Sequence, residues 1–186
     1  MMNHHLVTDE VLHLFQQRGG SEYGGEAITQ LEHALQAAWL AEQEHAPATL
    51  IAAALLHDIG HLLHTLPDDA PDKGVDDQHE ALAADWLATR FPPEVVEPVR
   101  LHVAAKRYLC SDSPDYLAGL SEPSRVSLHL QGGLMSQDEQ AAFRTHEHWQ
   151  AATRLRRWDD GAKVPGLETP ELDHFAAYLD QALTGS

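Results

Sequence analysis

Residues 55–61, LLHDIGH, decide how this chain is read. They lie inside PATLIAAALLHDIGHLLH, residues 47–64, which is apolar almost all round. That composition predicts a helix buried at the centre of a bundle. His57, Asp58 and His61 stand at i, i+1 and i+4, so they share one sector of such a helix. Buried polar groups left unsatisfied cost on the order of 1–3 kcal/mol each. A polar network capping a loop is one answer to that cost. A bound cation is the stronger one, because it gives the adjacent His-Asp pair something to coordinate and lets the carboxylate bridge two ions.

Outward from this stretch the pattern is helical nearly throughout. Apolar residues recur at helical spacing over 25–45, 79–91, 92–110, 136–162 and 170–183, with shorter helices at 115–120 and 122–133. An N-terminal helix over 8–19 starts from Thr8 as N-cap and stops before Gly19 and Gly20. A polar Pro/Gly loop fills 67–78, and no segment sustains β alternation. The expected fold is all-α, an irregular helical bundle. A length of 186 residues suits a single domain over 1–186, with residues 1–18 as an N-terminal helical extension and 19–186 as the catalytic core.

Acidic residues outnumber basic ones 29 to 12, for a formal net charge of −17, and there is no basic run of the kind that nucleic acid requires. The lone cysteine, Cys110, allows no internal disulfide and suits a reducing, cytoplasmic setting. The N-terminus is charged and amphipathic rather than secretory, and no apolar stretch is long enough to span a bilayer, so no membrane partner is expected.

Histidine is abundant, 14 of 186 residues, so position must separate the functional ones. His4, His5, His13, His45, His64, His129, His146, His148 and His174 fall at helix ends, on polar faces or in loops and read as solvated. His33, on the helix expected over 25–45, ends a polar stripe of Tyr23, Glu26, Gln30 and His33, spaced 3, 4 and 3, that begins just ahead of that helix. The face with Glu32, Gln36 and Gln43 already serves as a solvent face there, so the stripe reads as cavity-lining. His79 opens a helix after the acidic loop. His102 sits among Val99, Val103 and Ala104 with Lys106 one turn on. Such a lysine usually snorkels; beside a metal it is tolerable only with an anionic ligand between them. Asp159, in LRRWDDGA, falls near the end of a long helix, where most aspartates are solvated. Four histidines with Asp58 and Asp159 would make six side-chain ligands, more than one tetrahedral zinc takes from protein. Mixed imidazole and carboxylate donors suit iron or manganese, and the count suits two ions.

The order His, His-Asp, His, His, Asp over helical sequence resembles the HD-domain superfamily of metal-dependent enzymes. Most members are phosphohydrolases, and a minority are mixed-valent di-iron oxygenases. The segments YGGEAITQLEH, ALLHDIGH, HVAAKRYL, YLAGLSEPSR, QGG, RRWD and KVPG resemble one group in that minority, the PhnZ-type phosphonate oxygenases, over roughly residues 20–175. That resemblance implies an Fe2+/Fe3+ pair held by His33, His57, Asp58, His79, His102 and Asp159, with Asp58 as the bridge. It implies O2 as co-substrate and His61, Lys106, Ser124, Gln131 and Arg156 around a phosphonate. Tyr23 and Glu26 correspond to a gate, in which the tyrosine occupies the open iron position and the glutamate meets a substrate ammonium. His61, Lys106 and Tyr23 carry the catalytic expectation.

The implied reaction cleaves the C–P bond of a 2-amino-1-hydroxyethylphosphonate-type substrate, releasing phosphate and glycine, or an N-methylated glycine such as glycine betaine. A primary ammonium suits Glu26 better than a trimethylammonium, which needs an aromatic cage. A 2-oxoglutarate-dependent hydroxylase would stand upstream in the same pathway. The alternatives are an HD-domain phosphohydrolase acting on phosphate esters with Mn2+ or a similar ion, and a metal-stabilised binding module. Residues 66–77 match the oxygenases poorly, so no role is carried over from them, and the first 18 residues have no counterpart there.

Overall fold

A computed structural model describes residues 4–63 and 78–185. The loop expectation for 66–77 and the solvated reading of His64 fall outside the described residues, as does the side chain of His4. Among the described residues there are eleven helices and no strand, only an isolated antiparallel bridge between Glu22 and Thr29. No helix among them is long and apolar enough to cross a membrane.

The bundle is built around α3, Ala48–Leu56, in which every residue from Leu50 to Leu56 is buried. Helix α2, Gln30–Gln43, packs along one side of it, and α11, Leu172–Thr184, along another. Helices α6, Pro93–Asp112, and α10, Trp149–Gly161, pack on α3 and on each other, and α5, His79–Ala88, packs on α6. Leu55, Leu56, Leu87, Val95, Leu155, Phe175 and Leu179 meet in one core. Each such leucine or phenylalanine contributes roughly 1.5–3 kcal/mol when fully buried. Helix α1, His4–Arg18, adds Val7, Val11 and Phe15 to the same core. The smaller helices α7, Pro114–Gly119, α8, Glu122–Leu130, and α9, Gln137–Arg144, cover the outer end of α6.

Four sequence expectations need correction. Thr8 is not an N-cap: it is buried inside α1, and its hydroxyl donates to Asp180 at 2.6 Å, tying α1 to α11. Helix α2 starts five residues later than periodicity implies. Thr29 and Glu32 form a capping box there, and the Thr29 backbone is extended. Tyr23 and Glu26 therefore belong to a preceding loop, closed by bonds from Tyr23 N to Ile28 O at 2.9 Å and from Glu26 N to Tyr23 O at 2.7 Å. The long helix over 136–162 is two helices, opened separately by Ser136, in a second capping box with Glu139, and by His148.

The fourth correction concerns the opening stretch. Helix α3 does not run to residue 64 but ends at Leu56. His57–Ile59 form a tight turn before α4, Gly60–Leu63. Bonds of the i to i+3 type carry the chain through it: Ile59 N to Leu56 O at 3.1 Å and His61 N to Asp58 O at 3.0 Å. Gly60 follows because α5 passes so close; a Cβ there would lie 2.1 Å from the carbonyl oxygen of His79.

Candidate metal centre

His33 from α2, His57 and Asp58 from the turn after α3, His79 from α5, His102 from α6 and Asp159 from α10 converge, all of them buried. The imidazoles form two pairs. Nε2 of His33 lies 3.1 Å from Nε2 of His57, and Nε2 of His79 lies 3.1 Å from Nε2 of His102. Asp58 stands between the pairs. Its Oδ2 is 3.4 Å from His33 and 3.3 Å from His57, and its Oδ1 is 3.3 Å from His79 and 3.4 Å from His102. Asp159 Oδ1 approaches the first pair alone, at 3.4 Å from His33 and 3.7 Å from His57.

The far ring nitrogens explain why the near ones are available. Nδ1 of His33 donates to Ala162 O at 2.7 Å, Nδ1 of His57 to Ala54 O at 2.8 Å, and Nδ1 of His102 to Val99 O at 2.7 Å. Bonds of this kind fix the tautomer and orientation of a ligating histidine. The Nε2 lone pairs of His33 and His57 then face each other in a dry interior, an arrangement that needs a proton or a metal ion between them. Burial disfavours the His57 imidazolium, but the Asp58 and Asp159 carboxylates overcome it and raise its pKa to about 10. The cluster thus draws in positive charge, and Asp58 Oδ1 is buried with no hydrogen bond. The donors fit two cations sharing Asp58, one with a terminal carboxylate from Asp159 and one without.

Tyr23 reaches this centre from its loop. Its ring stacks on His33 with centroids 3.8 Å apart, and its hydroxyl lies 3.5 Å from Asp159 Oδ1. Burial, then the Asp58 and Asp159 carboxylates, hold the phenol protonated well above its usual range. His61 stacks on His79 at 4.2 Å, beside the second pair.

A cationic patch adjoins the centre. Arg156 donates to Asp159 Oδ2 at 2.7 Å, so one carboxylate oxygen faces the histidines and the other the guanidinium. Arg156 Nε also donates to Asp160 at 3.1 Å, and Asp160 accepts from Tyr116. Lys106 is 2% exposed and donates to Ser127 Oγ at 2.7 Å. Burial, then repulsion from Arg156, pushes its pKa down to about 7. Ser124 is one turn before Ser127 on α8 and accepts from Lys163 Nζ at 2.7 Å. Gln131, at the C-cap of α8, has a buried Oε1 with no hydrogen-bond partner among the described residues. Glu26 Oε1 is likewise buried without a hydrogen bond, 3.9 Å from Lys163 Nζ.

Sequence reasoning missed Ser127, Asp160, Tyr116 and Lys163. Ser127 had a signal, because it shares a helix face with Ser124; Lys163 had one in KVPG, where no role was attached to it. Gln36 was misread as solvent-facing. It is 1% exposed, its amide donates to Val164 O at 2.9 Å, and it accepts from Val164 N at 3.0 Å. Of the histidines read as solvated, His5, His13, His45, His129 and His174 are exposed, and His146 and His148 are half-buried.

Comparison with known proteins agrees with this geometry. The HD-domain profile matches residues 30–131, from the first residue of α2 to the C-cap of α8. The chain belongs to the HD-domain family. It is 49% identical over 174 residues to a hydroxymethylphosphonate dioxygenase of Gimesia maris, covering 93% of this chain and 86% of that one. It is 41% identical over 180 residues to a glycine-betaine-forming [1-hydroxy-2-(trimethylamino)ethyl]phosphonate dioxygenase of Leisingera caerulea, covering 97% and 92%. Within the HD-domain family it is an oxygenase of the PhnZ type.

Proposed function

We propose that the centre holds a mixed-valent Fe2+/Fe3+ pair and that the enzyme uses O2 to cleave the C–P bond of a 1-hydroxyalkylphosphonate, yielding phosphate and a carboxylic acid. For the simplest such substrate the balance closes without another reductant: hydroxymethylphosphonic acid plus O2 gives formic acid plus phosphoric acid. The observation that carries this reading is the sharing of Asp58 between two imidazole pairs, next to the buried cations Lys106 and Arg156. Both named relatives act on phosphonates with a 1-hydroxyl group.

In this reading His33, His57 and Asp159 would hold one ion and His79 and His102 the other, with Asp58 shared between the two sets. When bound, the iron pair supplies Lewis acidity toward the substrate hydroxyl and activates O2. Lys106 and Arg156 hold the phosphonate oxygens by charge-assisted hydrogen bonds, with Ser124, Gln131 and His61 as further donors. Tyr23, stacked on His33 with its hydroxyl 3.5 Å from Asp159 Oδ1, would cover the Asp159 side of the centre until substrate arrives. The substrate of an upstream 2-oxoglutarate-dependent hydroxylase would be the parent phosphonate lacking the 1-hydroxyl, and the lone cysteine is consistent with a cytoplasmic setting.

The test begins with aerobic purification, metal analysis and electron paramagnetic resonance after partial reduction. O2-dependent phosphate release from 1-hydroxyphosphonates is then compared with hydrolysis of phosphate monoesters. Two irons per chain, a mixed-valent signal and O2-dependent release are expected. Metal-dependent hydrolysis of esters without O2 consumption would replace this reading with a phosphohydrolase.

A further inference from the structure

Resting on the reading just given, we infer that Asp160 and Tyr116 are positioning residues. Neither meets the substrate; together they set the plane in which the Arg156 guanidinium meets the phosphonate.

Three residues of α10 share one face. Asp159 and Asp160 stand three and four positions after Arg156, so both carboxylates reach back to the same guanidinium. They take different parts of it. Asp160 takes the side edge: Arg156 Nε donates to its Oδ2 at 3.1 Å, and Nη2 donates to its Oδ1. Nη1 lies 2.7 Å from Asp159 Oδ2. A guanidinium carries five N–H groups in a rigid fork, so with two given to Asp160 the terminal nitrogens keep N–H groups for an anion. Asp160 is itself held from a second element. Tyr116 donates to Oδ2, the oxygen that also accepts from Arg156 Nε, and Lys163 Nζ is 3.7 Å from Oδ1. Tyr116 arrives there because Ser113 both ends α6 and caps α7, with Pro114 opening the second helix. The chain turns at that residue, and the ring comes back onto α10, with the Arg157 guanidinium 5.8 Å from its centroid. Burial, more than any other influence, raises the pKa of the phenol, so it stays a donor.

Charge alone does not explain Asp160. A carboxylate beside an anion-binding arginine weakens the pull of that arginine on the anion. What it adds is orientation. Held along its side edge, the guanidinium keeps one plane while substrate comes and goes, and a binding group displaced by a fraction of an ångström loses much of its effect. The two effects have opposite signs. If Asp160 acts through the field, neutralising it tightens anion binding. If it acts by orienting Arg156, neutralising it weakens binding.

The experiment measures binding of hydroxymethylphosphonate and of inorganic phosphate by anaerobic titration calorimetry, and kcat and KM with O2. It uses iron-loaded wild type, Asp160→Asn, Tyr116→Phe, Arg156→Lys and the double variant Arg156→Lys with Asp160→Asn. Binding of both anions is expected to weaken about tenfold in Asp160→Asn and about fivefold in Tyr116→Phe, with the loss in KM rather than kcat and iron content intact. In Arg156→Lys the cation is a point charge with no plane to set, so adding Asp160→Asn should leave binding equal or tighter. Unchanged or tighter binding in a folded, iron-loaded Asp160→Asn overturns the inference. An equal loss in the Arg156→Lys background overturns it too, because Asp160 then acts without the guanidinium. If Asp160→Asn fails to fold, Tyr116→Phe decides, and unchanged binding of both anions overturns the inference. Failure of the underlying reading looks different: wild type then releases no phosphate from hydroxymethylphosphonate with O2, while the inorganic phosphate series still tests Asp160.

Discussion

At the scale of single residues, the two oxygens of Asp58 and the two cations beside Asp159 do different work. Asp58 Oδ1 and Oδ2 each face one imidazole pair, so Asp58→Ala removes a ligand from both ions. Iron content of the purified variant is expected to fall below two per chain, with O2-dependent turnover lost; two irons and normal turnover would remove Asp58 from the bridge. Lys106 and Arg156 separate in a second measurement. Lys106 donates to Ser127 and touches none of the six buried donors at hydrogen-bond distance, so Lys106→Ala should raise KM for phosphonate ~10- to 100-fold with iron content intact. Arg156 also holds Asp159 Oδ2, so Arg156→Ala should raise KM and lower iron content together. Lys106 carries a pH dependence too. Burial brings its pKa to about 7, so the ammonium is present below that pH and lost as pH rises through it. Phosphonate kcat/KM should therefore fall on the alkaline side of about pH 7. In Lys106→Arg the guanidinium stays charged, and that limb should move to higher pH. An identical pH profile in the two proteins would show that Lys106 does not meet the anion.

At the scale of elements, the turn after α3 shows both what a sequence discloses and what it hides. His57, Asp58 and His61 announce themselves because no apolar helix tolerates them unpaired, and that inference needs only residue types and spacing. The break in the helix is invisible to the same reasoning, since Ile59, Leu62 and Leu63 continue the apolar pattern straight through it. Just past the turn, Gly60 lies against the backbone of His79 in α5, nineteen residues along the chain. Gly60→Ala drives a methyl group into the His79 carbonyl, where no side-chain rotation can relieve it. Overpacking of this kind costs about 1–3 kcal/mol, and at ~2–4 °C per kcal/mol the variant's Tm should drop by several degrees. Because the displaced backbone is that of His79, iron content should fall with it; unchanged Tm and iron would mean that α4 and α5 separate freely. The loop carrying Tyr23 and Glu26 illustrates the converse. Their spacing mimics a helical stripe with His33, yet the Thr29–Glu32 capping box starts α2 beyond them. They arrive near His33 by folding back, which periodicity cannot express.

At the scale of the whole molecule, the six buried donors come from α2, the turn after α3, α5, α6 and α10, so five separate stretches of the bundle meet there. A ligand that binds only the folded state stabilises it by about 2.7 kcal/mol at a hundred times its Kd. Removing the metal with a chelator should thus lower Tm measurably, and restoring Fe2+ under reducing conditions should recover it. Equal melting curves with and without metal would place the ions away from this cluster. The all-helical class and the ligand order were legible because buried histidine and aspartate are rare and their chemistry is specific. The recognition end was less so, because lysine, serine and glutamine are ordinary surface residues until packing shows which of them are buried. Gln36 is the clearest instance. Its amide grips Val164 by donating and accepting at once, while His33 three residues earlier on α2 takes the carbonyl of Ala162. The helix bearing His33 and the segment bearing Lys163 thus form a single mechanical part. An engineer who wished to transplant a different recognition segment into this scaffold would have to move residues 162–166 and position 36 as a block, since an acid or an alkyl chain at 36 cannot hold both ends of that peptide.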